Sequence, residues 1–446
     1  MTQAGDVTDY QSFSPSETAV VIGGGVAGMQ AALDLASQNF KVVLVERTPS
    51  IGGVMAMLDK TFPTLDCSAC ILTPRLSEVS RHPDIELLTY SEVEEVSGEA
   101  GDFRVRVRKK ARKVNDKCSG CGDCVPHCPI EVKNEFDQNL AVRKAIYIGF
   151  PQNTPLIYTI DSESCINCEM CVKSCERDAI DLEMQDEVVE IPAGAIVIAT
   201  GYDLFDVSVY SRFGYGRIKN VIHALEYERL INASGPTGGR LMRPSDGKIP
   251  RSIAFLQCIG ARDVQQGVPD CSRICCMYAI KNAVMAKEIH HDIVKDVTIY
   301  TLDLRAFGKG FEEFSEMAKK RFGIKYIRGR VGEVTSTHRS QKVTIFAENT
   351  ENGRLLEQKH DLVVLCPGIK PPRTLKGLGE ATGIQLDECG FVEGIDPLLN
   401  PVATSVPGVF VCGCADGAKD IPDSVSSGSA AAMRASIVLT NGGDGG

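Results

Sequence analysis

The stretch TAVVIGGGVAGMQAALDLASQNFKVVLVER, residues 18–47, constrains the fold more than any other. An apolar run, a glycine turn, a helix pattern and a second apolar run make one βαβ unit. Gly23, Gly25 and Gly28 fall at G-x-G-x-x-G directly after the first strand, with Ala27 in the same turn. Glycines in these places let a pyrophosphate approach a helix N-terminus closely. Glu46 ends the second strand, where a carboxylate can accept both ribose hydroxyls, and Arg47 follows it. A dinucleotide-binding domain is expected here.

At 446 residues the chain is long enough for two or three packed units. A formal net charge of −10 argues against a nucleic-acid partner, which needs a concentrated basic surface. The basic run RVRVRKKARK (104–113) alternates like an exposed strand edge, so a solvated or partner-facing strand is expected. No apolar run reaches the roughly 18 residues of a spanning helix. Residues 1–16 are polar and acidic, unlike a signal peptide, and read as a flexible arm. A cytoplasmic chain follows from these readings.

In a reducing compartment, 18 cysteines mean metal or redox chemistry rather than a disulfide framework. Twelve of them form three groups of four. Cys118, Cys121, Cys124 and Cys128, followed by Pro129, spell C-x2-C-x2-C-x3-C-P. Cys165, Cys168, Cys171 and Cys175 repeat the spacing, with Glu176 where the proline would stand. Thiolates so spaced wrap an iron–sulfur cubane from one loop, and the fourth cysteine serves the other cluster. Cys118, Cys121, Cys124 and Cys175 are then expected to hold one [4Fe–4S] cluster, and Cys165, Cys168, Cys171 and Cys128 the other. Zinc ribbons, the competing reading, use cysteine pairs separated by a longer spacer; free thiols are the bland one.

Three further landmarks resemble those of two-dinucleotide-domain flavoproteins. RTPSIGG (47–53) brings Gly52 and Gly53 just past the acidic residue, and AGAIVIATGYD (193–203) is an apolar strand ending at Ala199, Thr200 and Gly201. VPGVFVCGCADG (406–417) is another, ending at Gly413, Cys414 and Asp416 before a helical run. This resemblance implies FAD, with the last strand and helix closing over its ribityl chain and flavin O2. Residues 251–365 then form the second nucleotide-type half: a strand at RSIAFLQ, a helix at RICCMYAIKNAVMAKEIHH, a strand at DVTIYTLDLRAF and an exit strand at HDLVVLCPGIKPP.

Its glycines are missing. After SIAFL the turn reads Gln257-Cys258-Ile259-Gly260-Ala261-Arg262-Asp263, so a pyrophosphate could not approach the next helix. Cys258 stands at the strand end, and Cys271, Cys275 and Cys276 stand around the helix start. Four thiolates there form a plausible cluster cage, favoured by the positive helix end. The alternative is four small buried residues.

The C-x12-C-x3-C-C pattern after this degenerate strand resembles the A subunit of the heterodisulfide reductases, as do FPTLDCSACILTPRL (62–76), GPTGGRLMRPSDGKIP (235–250) and CADGAKDIPDSVSSGSAAA (414–432). The A subunit of the quinone-interacting membrane-bound oxidoreductase shares the second of these stretches. The resemblance spans about residues 17–440. It implies an α/β fold like that of thioredoxin and glutathione reductases, with an inserted α+β ferredoxin domain. The expected division is an arm (1–16), a first flavin-domain part (17–108), the two-cluster insert (109–187), a flavin-domain return (188–250), a degenerate nucleotide domain with a third cluster (251–370) and the flavin-domain end (371–446). Cys258, Cys271, Cys275 and Cys276 become ligands of a third [4Fe–4S] cluster near the FAD. Longer members of the family carry an N-terminal domain and a C-terminal ferredoxin domain that this short form is expected to lack, so electrons would enter through another subunit.

The resemblance also implies electron bifurcation from a hydrogenase or formate dehydrogenase module to ferredoxin and a disulfide-reducing partner. The expected partners are subunits like the B and C chains of heterodisulfide reductase, in a homodimer of heteromers. A non-bifurcating relay to a quinone-interacting complex is one alternative, and an NAD(P)H-dependent flavoprotein is another. Cys67 and Cys70 form C-x-x-C. They read as a redox dithiol beside the flavin, as half of a cluster site, or as two buried thiols. Lys281, on the helix begun by Cys275, could stabilise the anion of a reduced flavin or be an ordinary exposed lysine. Glu228 is a candidate proton-handling carboxylate. Cys366, Cys389, Cys412 and Cys414 read as buried thiols.

Overall fold

A computed structural model describes residues 10–266, 268–337 and 342–442. The strand Thr18–Ile22 (β1) is buried at every residue, and the turn after it leads into the helix Val26–Ala36 (α1) and the strand Lys41–Glu46 (β2). Strands with no exposed face suit the middle of a parallel sheet covered on both sides. The helix Ser68–Arg81 (α2) precedes the strand Ile85–Thr89 (β3). The antiparallel strands Ser91–Glu99 (β4) and Asp102–Lys109 (β5) follow, and Glu187–Ala193 (β6) joins them after the cysteine-rich segment. Ala195–Ile198 (β7) returns to the parallel sheet beside β1.

β5 is the central strand of its three, not an edge. Phe103, Val105 and Val107 point into the core, and Arg106 and Arg108 face out to pair with Glu94, Glu95 and Glu92. The expected exposed edge is corrected by β6, a partner nearly 80 residues further along the chain.

The chain next builds a second parallel sheet. Its strands are Val221–His223 (β8), Ser252–Ile259 (β9), Asp296–Thr301 (β10), Lys325–Arg328 (β11) and Leu362–Pro367 (β12), in the order β8-β12-β9-β10-β11. The helix Ala224–Ile231 (α3) follows β8, and Cys275–Ile289 (α4) links β9 to β10. The chain then completes the first sheet with Gly394–Asp396 (β13), Asn400–Thr404 (β14) and Val409–Val411 (β15), whose order is β13-β14-β15-β7-β1-β2-β3. The helix Ile421–Thr440 (α5) ends the described chain and packs on α1.

Two compact units result. The first runs through Ala56, from Leu72 to Tyr202 and from Pro371 onward; the second holds Met57–Ile71 and Asp203–Lys370. The flavin-domain return expected over 188–250 is thus divided at Tyr202, and residues 57–71 leave the first unit. The cause is main-chain bonding. Arg229 Nη1 donates to Met57 O (3.1 Å) and Asn232 Nδ2 to Leu58 O (3.0 Å). Of the expected arm, residues 1–9 lie outside the described residues. From residue 10 on it is no arm: Tyr10 is buried and meets Phe13 edge to face. Among the described residues no helix is long and apolar enough to cross a membrane.

Candidate functional site

In the first unit the turn after β1 has the shape its glycines suggest. Gly23 takes φ +114°, and a Cβ on Gly28 would run into Gly23 O, so the helix start lies against the turn. A Cβ on Gly25 would meet nothing within 4 Å, so open space lies in front of the turn. Glu46 is buried, and its carboxylate accepts from Gly24 N (2.7 Å) and Thr48 N (2.8 Å). Arg47 beside it is exposed. A Cβ on Gly53 would stand 3.1 Å from Gly25 Cα, which brings the glycine pair to the turn.

Ala199, Thr200 and Gly201 follow β7; Thr200 Oγ1 is buried without a partner, and Gly201 (φ +71°) faces open space. Gly413 follows β15, donates to Ser427 Oγ (2.9 Å) and lies against Ala27. Cys414 is buried, and Asp416, paired with Lys419, has its carboxyl raised by burial. An orphaned hydroxyl beside an open glycine turn and a buried acid fits a dinucleotide.

The cysteine-rich insert docks on this cradle within the same unit. Arg112 Nη2 donates to Pro49 O (3.0 Å), Thr154 N to Ser50 Oγ (2.8 Å) and Ile51 N to Thr154 O (3.0 Å). Its two motifs share one backbone shape. Gly120 and Gly122 flank Cys121 with φ +70° and +89°; Asn167 and Glu169 flank Cys168 with φ +52° and +60°. Left-handed non-glycine residues persist only where the surroundings over-determine them. The same loop is built twice.

Cys128, Cys165, Cys168 and Cys171 line one cavity with Ile130 and Ile146, which unites three cysteines of the second motif with the fourth of the first. Burial pushes the Cys124 thiol up to about 12, and Cys118 and Cys121 add to the shift. Asn167 N and Ala179 N donate to the sulfurs of Cys165 (3.5 Å) and Cys175 (3.4 Å). Among the described residues no three His, Cys, Asp or Glu side chains close on a single metal ion. A cubane spreads its thiolates over four corners, a wider set.

In the second unit the turn after β9 departs from a nucleotide turn throughout. A register shift interrupts the pairing of β9 between Leu256 and Ile259. Cys258, Arg262 and Arg273 all take φ between +56° and +59° without being glycine. Cys258, Cys275 and Cys276 interact through their thiols. Contact with Cys275 lowers Cys258 to about 7 and lowers Cys276, while Cys275 itself is pushed up. Cys271 and Cys258 both act on the Arg262 guanidinium, which is ion-paired with Asp303. Arg273 N donates to Cys271 Sγ (3.4 Å) and Arg305 N to Cys276 Sγ (3.5 Å). Cys258 and Cys271 are partly exposed, Cys275 and Cys276 buried. The four sulfurs expected to share a cage lie around one strand end and one helix start.

Lys281 is 1% exposed and ion-paired with Glu228, itself 3% exposed, so the exposed-lysine alternative is set aside. Glu228 Oε2 also accepts from Asp59 N (3.1 Å). The Asp59 carboxyl is raised to about 6, by burial first and by Glu228 second. Asn282 beside Lys281 is wholly buried, and both side-chain amide atoms lack partners. Cys67 and Cys70 are joined as a disulfide at the start of α2, where Cys70 N donates to Cys67 Sγ (3.2 Å) and Ser68 N to Asp59 O (3.0 Å). Cys366, Cys412 and Cys414 are buried, and Cys389 is partly exposed.

Sequence reasoning overlooked Asp59, Gln257 and Arg262. Gln257 could have been found as the one polar residue in the apolar run before Cys258. Asp59 lies in a segment without strand or helix periodicity, so only its long-range bond reveals it.

Comparisons with known proteins agree with this geometry. Residues 19–201 match the FAD dependent oxidoreductase family. The chain is 49% identical over 430 residues to the A subunit of the H(2):CoB-CoM heterodisulfide,ferredoxin reductase of Methanothermobacter marburgensis, covering 96% of this chain and 65% of that protein. It is 50% identical over 428 residues to an iron-sulfur A subunit of the CoB--CoM heterodisulfide reductase of Methanopyrus kandleri, the second of two in that organism, with the same coverage. The chain thus spans just under two thirds of the length of these relatives. Among solved structures, Lactococcus lactis thioredoxin reductase superposes with a TM-score of 0.54 at 16% identity, covering 95% of this chain and 99% of that one. This likeness establishes the two-dinucleotide-domain fold.

Proposed function

Because the chain belongs to the family of heterodisulfide reductase A subunits, we propose that it is an oxidoreductase subunit with one FAD and three [4Fe–4S] clusters. It passes electrons between a donor module of the hydrogenase or formate dehydrogenase type, ferredoxin and a disulfide-reducing partner, by flavin-based bifurcation. The single observation that carries this reading is the exchange of a glycine turn for Cys258, Cys271, Cys275 and Cys276 in a unit that otherwise keeps its nucleotide-domain topology. The name of the Methanothermobacter relative adds support, since it couples hydrogen, a heterodisulfide and ferredoxin.

FAD, when bound, supplies the junction between two-electron and one-electron chemistry, and the clusters supply one-electron steps. The residues have separate tasks. Gly23, Gly25 and Gly28 admit the pyrophosphate, Glu46 orients the ribose, and Gly52, Gly53 and the backbone around Gly201 and Gly413 shape the remaining cradle. Cys118, Cys121, Cys124 and Cys175 hold one cluster; Cys165, Cys168, Cys171 and Cys128 hold a second; the set at β9 and α4 holds the third. The buried Lys281–Glu228 pair holds a charge and a proton for the flavin chemistry. Cys67 and Cys70 act as a thiol–disulfide couple, the reading their pairing supports. Partners resembling the B and C subunits, and a homodimer of heteromers, complete the proposal.

Iron content tests it. Replacing Cys275 and Cys276 by Ala lowers iron from about twelve to about eight per chain, because the third cage alone is lost. Unchanged iron would mean that these thiols are not ligands.

A further inference from the structure

Gln257 stands in β9 immediately before Cys258 and is 8% exposed. Its Oε1 lies 3.4 Å from Cys276 Sγ, placed to accept the thiol proton, while its Nε2 is buried with no hydrogen-bond partner. Asp303 O is a second acceptor 3.9 Å from the same sulfur. Two acceptors facing one sulfur suit a thiol. They do not suit a thiolate, which has no proton to donate. A ligating cysteine is a thiolate. The backbone carbonyl of Asp303 cannot change roles, but a primary amide can, by a half-turn that exchanges its oxygen and nitrogen in place.

We infer that the Gln257 amide is a positioning group for the third cluster, reversed when the cage is filled so that Nε2–H donates to the ligating sulfur of Cys276. This rests on the reading that Cys258, Cys271, Cys275 and Cys276 hold a cluster. The donor joins Arg305 N, already on Cys276 Sγ at 3.5 Å. Reduction adds negative charge to a cluster and its sulfurs, and an N–H aimed at sulfur stabilises the reduced form, raising the potential. The insert's sulfurs receive N–H groups from the main chain of Asn167 and Ala179. At Cys276 one donor is a side chain, so substitution can remove it.

The test is a potentiometric titration of the full chain, purified anaerobically, with the reduced third cluster read by EPR. Its signal is identified as the one absent from the Cys275→Ala, Cys276→Ala double variant. Gln257→Glu keeps the shape and removes the donor; Gln257→Leu removes it without adding charge. Both variants are expected to keep about twelve irons and to show a lower midpoint. For Gln257→Glu the reduced-to-oxidised ratio at the wild-type midpoint falls about tenfold, a 59 mV shift for one electron, and Gln257→Leu moves less in the same direction. Unchanged midpoints with full iron would overturn the inference. Loss of iron from both variants would overturn it too, because Gln257 would then build the cage rather than tune it. A wild-type chain with about eight irons would remove the third cluster itself, an outcome visible before any variant is made.

Discussion

After β1 the chain turns through Gly23, Gly24 and Gly25 and is in helix at Val26; after β9 it wanders from Gly260 to Ile274 before α4 begins at Cys275. The first turn meets its close approaches with glycine, which takes a left-handed φ at little steric cost. The second places Cys258, Arg262 and Arg273 in that region instead, each costing about 1 kcal/mol or more. The helices differ as well. The buried face of α1 is made of alanine, glycine, leucine and methionine, whereas α4 buries Lys281 and Asn282. Parallel strand topology therefore does not dictate the ligand. One turn is shaped for a phosphate backbone, and the other places sulfur where the phosphate would lie.

The largest break in this contrast comes from putting a side chain into the first turn. In Gly28→Val the new Cβ has no room beside Gly23 O. Flavin released on denaturation should fall from about one per chain to near zero, while the insert's irons remain. A variant that keeps its flavin would show that the turn does not hold it.

A smaller effect sharpens the contrast between the helices. Lys281→Met strands the buried Glu228 carboxylate, and unfolding in denaturant should show a loss of about 3–5 kcal/mol. Lys281→Met combined with Glu228→Leu should recover part of that loss. Lys281 also holds the Asp59 carboxyl down against burial. In the single variant Asp59 should therefore titrate above about 6 by carboxyl-resolved NMR. The sign for stability follows. An acid raised in the folded state retains more protons than the unfolded chain between the usual value of 3.8 and about 6, so Asp59's contribution falls as pH rises through that window.

Much of the fold was legible because its central strands are continuous apolar runs bounded by glycine, as in β1, β7, β9 and β12. The insert was legible because ligand spacing is a local property, and the two loops share their left-handed positions. Three features were hidden for one physical reason: each depends on a partner far along the chain. β5 becomes central only when β6 arrives after the insert. Lys281 is buried only because Glu228 lies 53 residues before it on another helix. The segment 57–71 joins the second unit through carbonyls that no side-chain pattern reveals. Gln257 was hidden differently, since its importance lies in an amide nitrogen left without a partner.

The central claim is that the second turn has exchanged a pyridine nucleotide for a cluster. Mixing the anaerobic, FAD-loaded chain with NADH, and separately with NADPH, and following flavin absorbance tests it most directly. The flavin should stay oxidised with both while dithionite bleaches it. Rapid bleaching by either nucleotide would contradict the account.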